Sequence, residues 1–236
     1  MSVNARRATE SASATAPVRL SGVGFGYADR PGVLRDVNLT LPAGSFHFLT
    51  GPSGAGKSTL LKLLTLVERP TEGMVELFGE DAGDAPRAAL PDFRRRMGVV
   101  FQEFRLLDHL SAFDNVALPL RLARHKREAW AEEVEEMLEW VGLADRLNDK
   151  PPILSGGEKQ RLAIARAVVT GPELIIADEP TGSVDAAMGE RLLKLFQTLN
   201  KLGTTVLIAT HDEALAQRSG AGVLRLEGGR LKGGAA

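Results

Sequence analysis

No cysteine occurs among the 236 residues, which excludes disulfides, zinc–thiolate sites and thiol catalysis. A reducing compartment fits that composition. Long hydrophobic runs are missing as well. No stretch reaches the roughly 18 consecutive apolar residues that a membrane-crossing helix needs, so any work at a membrane must pass through a partner. Neither sign of charge is in excess: 29 Lys and Arg face 30 Asp and Glu, for a net charge of −1. No overall basic surplus therefore advertises nucleic acid. Aromatics are scarce at 5%, with a single tyrosine, Tyr27, and histidines number four. What remains, 44% hydrophobic and 25% charged, is the balance of an ordinary globular chain, long enough for one large or two small domains. Residues 1–17 are rich in Ser, Ala and Thr, carry Arg6 and Arg7, and lack the apolar run of a secretory signal. They read as a disordered tail.

The most informative stretch is Gly51-Pro52-Ser53-Gly54-Ala55-Gly56-Lys57-Ser58-Thr59, which fits the phosphate-binding pattern G-x-x-x-x-G-K-[ST] in every fixed position. Ser45 to Thr50 before it is short, apolar and aromatic-rich, as a buried strand should be. Leu60, Leu61, Leu64 and Val67 after it recur on one face of a helix. The glycines let the backbone approach a ligand closely. Successive N–H groups then form an anion nest, with the positive end of the helix behind it. Lys57 adds a point charge for β- and γ-phosphates, and the Ser58 hydroxyl is suited to Mg²⁺. A glycine-rich turn with an exposed lysine would have no need of these flanks, so the stretch reads as a nucleotide site.

The rest of the chain supplies an α/β frame. Val18 to Tyr27 suits a strand, followed by a turn around Asp29 to Gly32. Leu34 to Leu41 alternates with period two, as in a half-exposed antiparallel strand. Tyr27 either stacks on a purine ring or packs on the sheet. Gly73 to Phe78 reads as another strand and Ala82 to Pro91 as a loop. The basic run in Phe93-Arg94-Arg95-Arg96 is either a solvated face or a surface toward anionic lipid. Gly98 to Phe101 is a buried strand ending at Gln102. From Glu103 to Trp140 the pattern turns helical, with Pro119 as an interruption. Glu128 to Val141 forms a charged amphipathic helix that Gly142 ends.

Ser155 and Glu158 make an S-x-x-E capping box at the start of the next helix. Gly156 and Gly157 sit in its first turn, where propensity disfavours them. Two glycines there make sense if something approaches the backbone, and a bare helix N-terminus suits a phosphate. Leu174 to Ala177 is a continuous apolar run, hence a buried strand of parallel type. Asp178 and Glu179 fall at its C-terminal end, where open α/β sheets bind ligands. Asp178 is placed to hold Mg²⁺ directly or through water, and Glu179 to orient or deprotonate a water attacking a γ-phosphate. Glu190 to Leu202 is helical, and Thr205 to Ala209 is one more buried strand, ending near His211. A final hairpin spans Val223 to Leu231.

In this order the pieces resemble the ATP-binding-cassette (ABC) ATPases from about Val18 to Leu231, leaving residues 1–17 and 232–236 as tails. The carriers are the phosphate loop, Gln102 as the glutamine loop, L-S-G-G-E at Leu154 to Glu158 as the signature, L-I-I-A-D-E ending at Glu179, Gly182 to Asp185 as the D-loop, and His211 as the switch histidine. The resemblance implies a P-loop NTPase (RecA-like) α/β core of ABC type, with an antiparallel β subdomain and an α-helical subdomain at about residues 103–158. ATP and Mg²⁺ are the implied ligands. Tyr27 and residues 51–59 would bind the nucleotide, and Ser58, Gln102 and Asp178 the metal. Glu179, His211 and Gln102 would serve hydrolysis. A head-to-tail homodimer would sandwich two ATP molecules, with Ser155, Gly156, Gly157 and Glu158 facing the partner's nucleotide. Asp185 is kept in the D-loop, although Ser183-Val184-Asp185 departs from the family's common pattern.

Within the family, the stretches from Phe48, Phe93, Asp114 and Ala165 look most like the branch that acts in bacterial cell division. That likeness implies an integral membrane partner docking along Glu103 to Leu122, and a position on the cytoplasmic face of the inner membrane. ATPases of lipoprotein release or macrolide efflux share most of these motifs. A soluble ABC ATPase for DNA or ribosomes usually carries tandem cassettes or basic extensions, and a P-loop kinase or GTPase would leave L-S-G-G-E and His211 unexplained.

Overall fold

The structure, a computed structural model, describes residues 16–123 and 130–232. Most of the two expected tails, and the first residues of the helix expected from Glu128, lie outside the described residues.

Two sheets face one another across the phosphate-loop helix. The first begins with β1 (Val18–Tyr27) and β2 (Arg30–Leu41), an antiparallel pair in the register Val18↔Leu41, Leu20↔Leu39 and Tyr27↔Arg30. Because Tyr27 pairs with Arg30, the turn is tighter than expected, and Arg30 to Gly32 already belong to β2. β4 (Glu72–Leu77) pairs antiparallel with the other edge of β1, and the short β5 (Glu80–Asp81) follows it.

The second sheet is built from β3 (Phe46–Thr50), β6 (Met97–Val100), β7 (Leu174–Asp178), β8 (Thr205–Ala209), β9 (Gly222–Glu227) and β10 (Arg230–Lys232). Its order is β10-β9-β3-β8-β7-β6, parallel except for the β9–β10 hairpin. Side chains on its strands alternate between two cores, as period two requires. Leu49, Ile176 and Leu207 face a core shared with Val18, Val37 and Val75 of the first sheet and with Leu60, Leu61, Leu63 and Leu64 of α1 (Lys57–Leu64). Phe48, Ile175, Val206 and Ile208 point the other way. There they meet Ile164 and Val168 of α5 (Gly156–Val168) and Leu192 and Phe196 of α6 (Ala186–Lys201). Both faces of β7 and β8 are thus covered, which explains their unbroken apolar sequences. α7 (Glu213–Arg218) follows β8.

A third apolar cluster joins α3 (Ala112–Ala123), α4 (Ala131–Trp140) and α5 through Val116, Leu120, Val134, Leu138, Leu162 and Ala165. Two expectations need correction here. Residues 103–111 are turns rather than helix, and Pro119 lies inside α3 without ending it. Proline removes one intrahelical bond. Burial of Val116, Ala117 and Leu120 offsets that loss, because packing rather than propensity stabilises most helices in proteins. The turns ahead of α3 are held by the fully buried Asn115, whose amide donates to the carbonyls of Leu107, Leu110 and Ser111 and whose Oδ1 accepts from Leu107 N–H.

Two further boundaries shift. The expected loop ends in a short helix, α2 (Leu90–Arg95), with Pro91 in its first turn. That helix takes in most of the basic run. Arg94 donates to the Leu66 carbonyl, Arg95 pairs with Asp92, and Arg96 makes a two-pronged bond to Glu173. All three guanidiniums are engaged within the chain. α6 begins at Ala186, earlier than Glu190, because Asp185 caps it by accepting from Met188 N–H.

Candidate nucleotide site

The site is built where β3, β7 and β8 end. β3 runs into Gly51 at φ +142, followed by Gly54 at +76 and Gly56 at +107. All three values lie in the region that favours glycine. At Gly51 a side chain is also excluded by space, since a Cβ would sit 2.1 Å from the Leu226 carbonyl oxygen of β9. The loop therefore takes its shape from its own glycines and from the neighbouring strand. Lys57 arches back over it, and Nζ donates to the carbonyls of Gly51 at 2.7 Å and Pro52 at 3.3 Å.

Along β7 the apolar run ends with two acids in different roles. Asp178 is part-buried, and burial pushes its carboxyl above the usual range, against a hydrogen bond from Ser58. The charge of Glu179 adds to the rise and that of Lys57 opposes it. Glu179 takes φ +50, the left-handed region, unusual for a residue with a Cβ. Its N–H donates to the Ala209 carbonyl of β8, and its own carbonyl accepts from Gly182. The turn aims the carboxylate at the end of β8. There Thr210 Oγ1 donates to Oε2 at 3.2 Å and His211 Nδ1 lies 2.8 Å from Oε1. The Glu179 side chain is 19% exposed and that of His211 74%.

Lys57, Ser58, Thr59, Gln102, Asp178, Glu179 and His211 all line one cleft of about 490 Å³, together with Ser53, Gly54, Gly56 and Tyr27. The expected phosphate-loop, acidic and histidine groups thus converge. Tyr27 packs on the sheet and also lines the cleft. Its ring meets Phe25 edge-on at 4.9 Å, while its hydroxyl lies 3.5 Å from Thr59 Oγ1 and accepts from Lys62 at 3.2 Å.

The signature residues are not part of this cleft. Ser155 caps α5 by accepting from Glu158 N–H, and Glu158 reaches back to Ser155 N–H at 2.8 Å and its hydroxyl at 2.7 Å. Those bonds to Ser155, with Arg146 alongside, hold the Glu158 carboxyl below its usual range. The two glycines differ. A Cβ on Gly156 would meet nothing within 4 Å, whereas one on Gly157 would lie 3.2 Å from the Ser183 carbonyl oxygen. Gly157 therefore also serves close packing against its own D-loop.

Three residues at the cleft escape sequence reasoning. Arg30, at the start of β2, donates to the Gly54 carbonyl at 3.4 Å. Thr210 carried no signal beyond its place after a buried strand. Gln160 lines the cleft although only 1% exposed, and its Nε2 is buried without a hydrogen-bond partner. Its burial, though not its place at the cleft, had a signal: Gln160 falls on the stripe of α5 that continues at Ile164 and Val168.

For a metal, the donors at hand are the Ser58 hydroxyl, the Asp178 carboxylate and the Gln102 amide oxygen, all oxygens on one wall of the cleft. No group of three or more His, Cys, Asp or Glu side chains able to hold an ion exists among the described residues. A single carboxylate with neutral oxygens suits Mg²⁺, which binds through few protein ligands plus phosphates and water, and does not suit a dedicated protein cage.

A strand, glycine loop and helix, meeting two acids and a histidine at the same C-terminal edge of a parallel sheet, define a P-loop ATPase. Residues 34–182 match the family model described as ABC transporter, more than half of the chain, and the chain belongs to that family. It is an ABC-type ATPase, an ATP hydrolase. It is similar to the cell division ATP-binding protein FtsE of Escherichia coli K12, 42% identical over 217 residues that cover 92% of this chain and 98% of that protein. FtsE of Mycobacterium tuberculosis is 42% identical over 84% of this chain and 86% of its own length. An uncharacterised ABC transporter ATP-binding protein of Bacillus subtilis, YvrO, is 44% identical over 79% of this chain and 82% of its own. Among solved structures, the dimeric ABC transporter cassette MJ0796 superposes with a TM-score of 0.86 at 35% identity, over 93% of this chain and 99% of that one. The same cassette has been described in a dimeric post-hydrolysis state bound to ADP and phosphate. No described helix is long and apolar enough to cross a membrane.

Proposed function

We propose that this chain is the ATPase subunit of an FtsE-type complex, working with an FtsX-like integral membrane protein in cell division and in control of cell-wall hydrolases. The observation that carries the ATPase half is the convergence of Lys57, Ser58, Asp178, Glu179 and His211 on one cleft. For the division half, support comes from the 42% identity to FtsE across 98% of that protein.

In this reading residues 51–59 wrap the phosphates with backbone N–H groups, and Lys57 exchanges its own loop carbonyls for β- and γ-oxygens. Tyr27 offers its ring to the adenine. Ser58, Asp178 and Gln102 hold Mg²⁺, which neutralises phosphate charge when bound. Glu179, oriented by Thr210 and His211, takes a proton from the attacking water, a role worth typically ~10²–10⁴-fold in rate. Ser155, Gly156, Gly157 and Glu158 stand outside the chain's own cleft, as a second copy's nucleotide would require. Two such faces close with twofold symmetry, and the γ-phosphate biases the closed state. The chain then sits peripherally on the cytoplasmic face of the inner membrane, with the stretch Glu103 to Leu122 receiving the membrane protein.

Similarity to YvrO, an ABC transporter ATP-binding protein, favours a second reading in a transporter; the motifs such ATPases share extend it to an efflux or lipoprotein-release system with the same catalytic residues. Affinity purification of the Glu179→Gln protein with ATP from solubilised membranes separates the two. Recovery of an FtsX-like protein with division or wall-hydrolase factors is expected. Recovery of an efflux or lipoprotein-release permease would move the chain to the second reading, and recovery of no membrane protein would remove both.

A further inference from the structure

The loop that follows Gln102 is strained, and one part-buried side chain holds it. Phe104 and Arg105 are consecutive residues with side chains, at φ +59 and +50, in the left-handed region that such residues rarely adopt even singly. Two local backbone bonds close the turn. Phe104 N–H reaches the Phe101 carbonyl at 3.0 Å and Arg105 N–H the Glu103 carbonyl at 2.6 Å, the bonds of tight turns. The Arg105 side chain is turned away, its guanidinium 3.9 Å above the Phe101 ring.

The distant contact comes from α5. Arg166 Nη2 donates to the Phe104 carbonyl at 2.9 Å and Nη1 to the Arg105 carbonyl at 2.8 Å. One planar guanidinium thus spans both strained peptide units with its two outer nitrogens, a geometry a lysine cannot copy. Burial holds this guanidinium below the usual arginine pKa. A part-buried cation bonded to neutral carbonyls, with no carboxylate in the bridge, is a costly way to fasten a loop. It makes physical sense where the loop's position matters.

What α5 carries elsewhere gives that position a meaning. Its N-cap is Ser155 of the signature stretch, and Gln160 in its second turn lines the nucleotide cleft beside Gln102. One rigid helix therefore connects the surface assigned to the partner's nucleotide, the chain's own cleft and the loop behind Gln102. We propose that Arg166 is a positioning residue for ATP hydrolysis: by bridging the Phe104 and Arg105 carbonyls it holds the strained loop that presents Gln102 to the cleft, so that movement of α5 is transmitted to Gln102. This rests on the reading that Gln102 serves the bound nucleotide and metal.

Without the bridge, residues 104 and 105 relax toward ordinary backbone and Gln102 withdraws. Glycine at 105 adopts φ +50 without penalty, so a loop carrying it depends less on Arg166. Steady-state ATP hydrolysis by the full chain is measured for Arg166→Met, Arg166→Lys, Arg105→Gly, the Arg105→Gly/Arg166→Met double variant and Gln102→Ala. Arg166→Met is expected to lower kcat about tenfold with KM for ATP changed less than about twofold, the pattern of a lost transition-state interaction. Arg166→Lys should fall between Arg166→Met and the parent. The double variant should recover at least about threefold over Arg166→Met, a coupling that a mere packing role would not produce. Wild-type kcat in Arg166→Met, or a loss that Arg105→Gly does not relieve, would overturn the proposal. If Arg166→Met does not fold, wild-type kcat in Arg166→Lys would overturn it equally. Gln102→Ala separates the two levels. Wild-type turnover in that variant removes the underlying reading of Gln102, whereas reduced turnover there with an unaffected Arg166→Met removes only the bridge.

Discussion

His211 Nδ1 lies 2.8 Å from Glu179 Oε1, joining the residue just past the end of β7 to a loop residue just past the end of β8. The two side chains come together because Asp178 pairs with Ala209 in the parallel register of those strands, and because Glu179 turns at φ +50 while its N–H reaches the Ala209 carbonyl. A carboxylate held from two directions, by His211 on one oxygen and Thr210 on the other, is restricted in orientation before any substrate arrives. Preorganisation of that kind is what a general base needs.

Replacing Glu179 with Gln keeps the shape and removes the base. ATP binding is expected to survive while turnover falls by ~10²-fold or more. The trapped ATP should accumulate dimer, read by size-exclusion chromatography with light scattering. A monomer at saturating Mg-ATP would remove the sandwich arrangement.

Thr210→Val deletes one of the two bonds to Glu179 and leaves the side-chain volume nearly unchanged. A fall in kcat of roughly tenfold is expected with little change in KM. The hydroxyl also accepts from Asp212 N–H, so the stability loss should be about 1–3 kcal/mol for the two bonds together, read from urea midpoints. Unchanged kcat would show that His211 alone orients the carboxylate.

Lys57→Ala should abolish tight ATP binding, measured by calorimetry with the nucleotide. In the free protein Lys57 bonds to the carbonyls of Gly51 and Pro52, so the variant also tests whether the loop keeps its form without that arch. Normal affinity would remove the phosphate-loop assignment.

The two signature glycines should respond differently to alanine. An added Cβ on Gly156 meets nothing within 4 Å, and alanine is better than glycine within a helix by roughly 0.5–1 kcal/mol. Gly156→Ala should therefore match or exceed the parent in thermal stability while weakening ATP-driven dimerisation. Gly157→Ala, crowded at 3.2 Å by the Ser183 carbonyl, should lower stability even in the monomer, and turnover with it. Equal behaviour of the two variants would contradict this division.

His47 sets a pH dependence. Its Nδ1 is buried without a partner, and burial holds the imidazole below its usual 6.5. The folded chain therefore resists protonation that the unfolded chain accepts near pH 6.5, so the unfolded state binds more protons in the window below that value. The stability His47 contributes is complete above pH 6.5 and declines as pH falls through the lowered folded value. Glu158 and Glu173, whose carboxyls are held low by Ser155 and Arg96, lose their contributions only below about pH 4.5. Urea midpoints compared at pH 7.5 and 5.5 should fall for the parent and change less for His47→Gln; equal slopes would dismiss His47.

The strand ahead of Gly51, the helix after Thr59 as far as Leu64 (Val67 lies beyond it and exposed), the capping box at Ser155 and the acids at the end of the Leu174 strand were readable from the chain. Each depends on residues within a few positions of one another, where period, glycine spacing and capping chemistry act locally. The same local logic failed at Pro119, where burial of Val116 and Leu120 outweighed a helix breaker, and at Ala82 to Pro91, where a short helix formed. Only the tertiary structure decided that Thr210 holds Glu179, that Gly157 packs on Ser183, that Gln160 borders the cleft and that Arg166 bridges Phe104 and Arg105. Those contacts join segments tens of residues apart. They follow from the strand order of the parallel sheet and from the way α5 lies across it, and neither is written in any single window of the sequence.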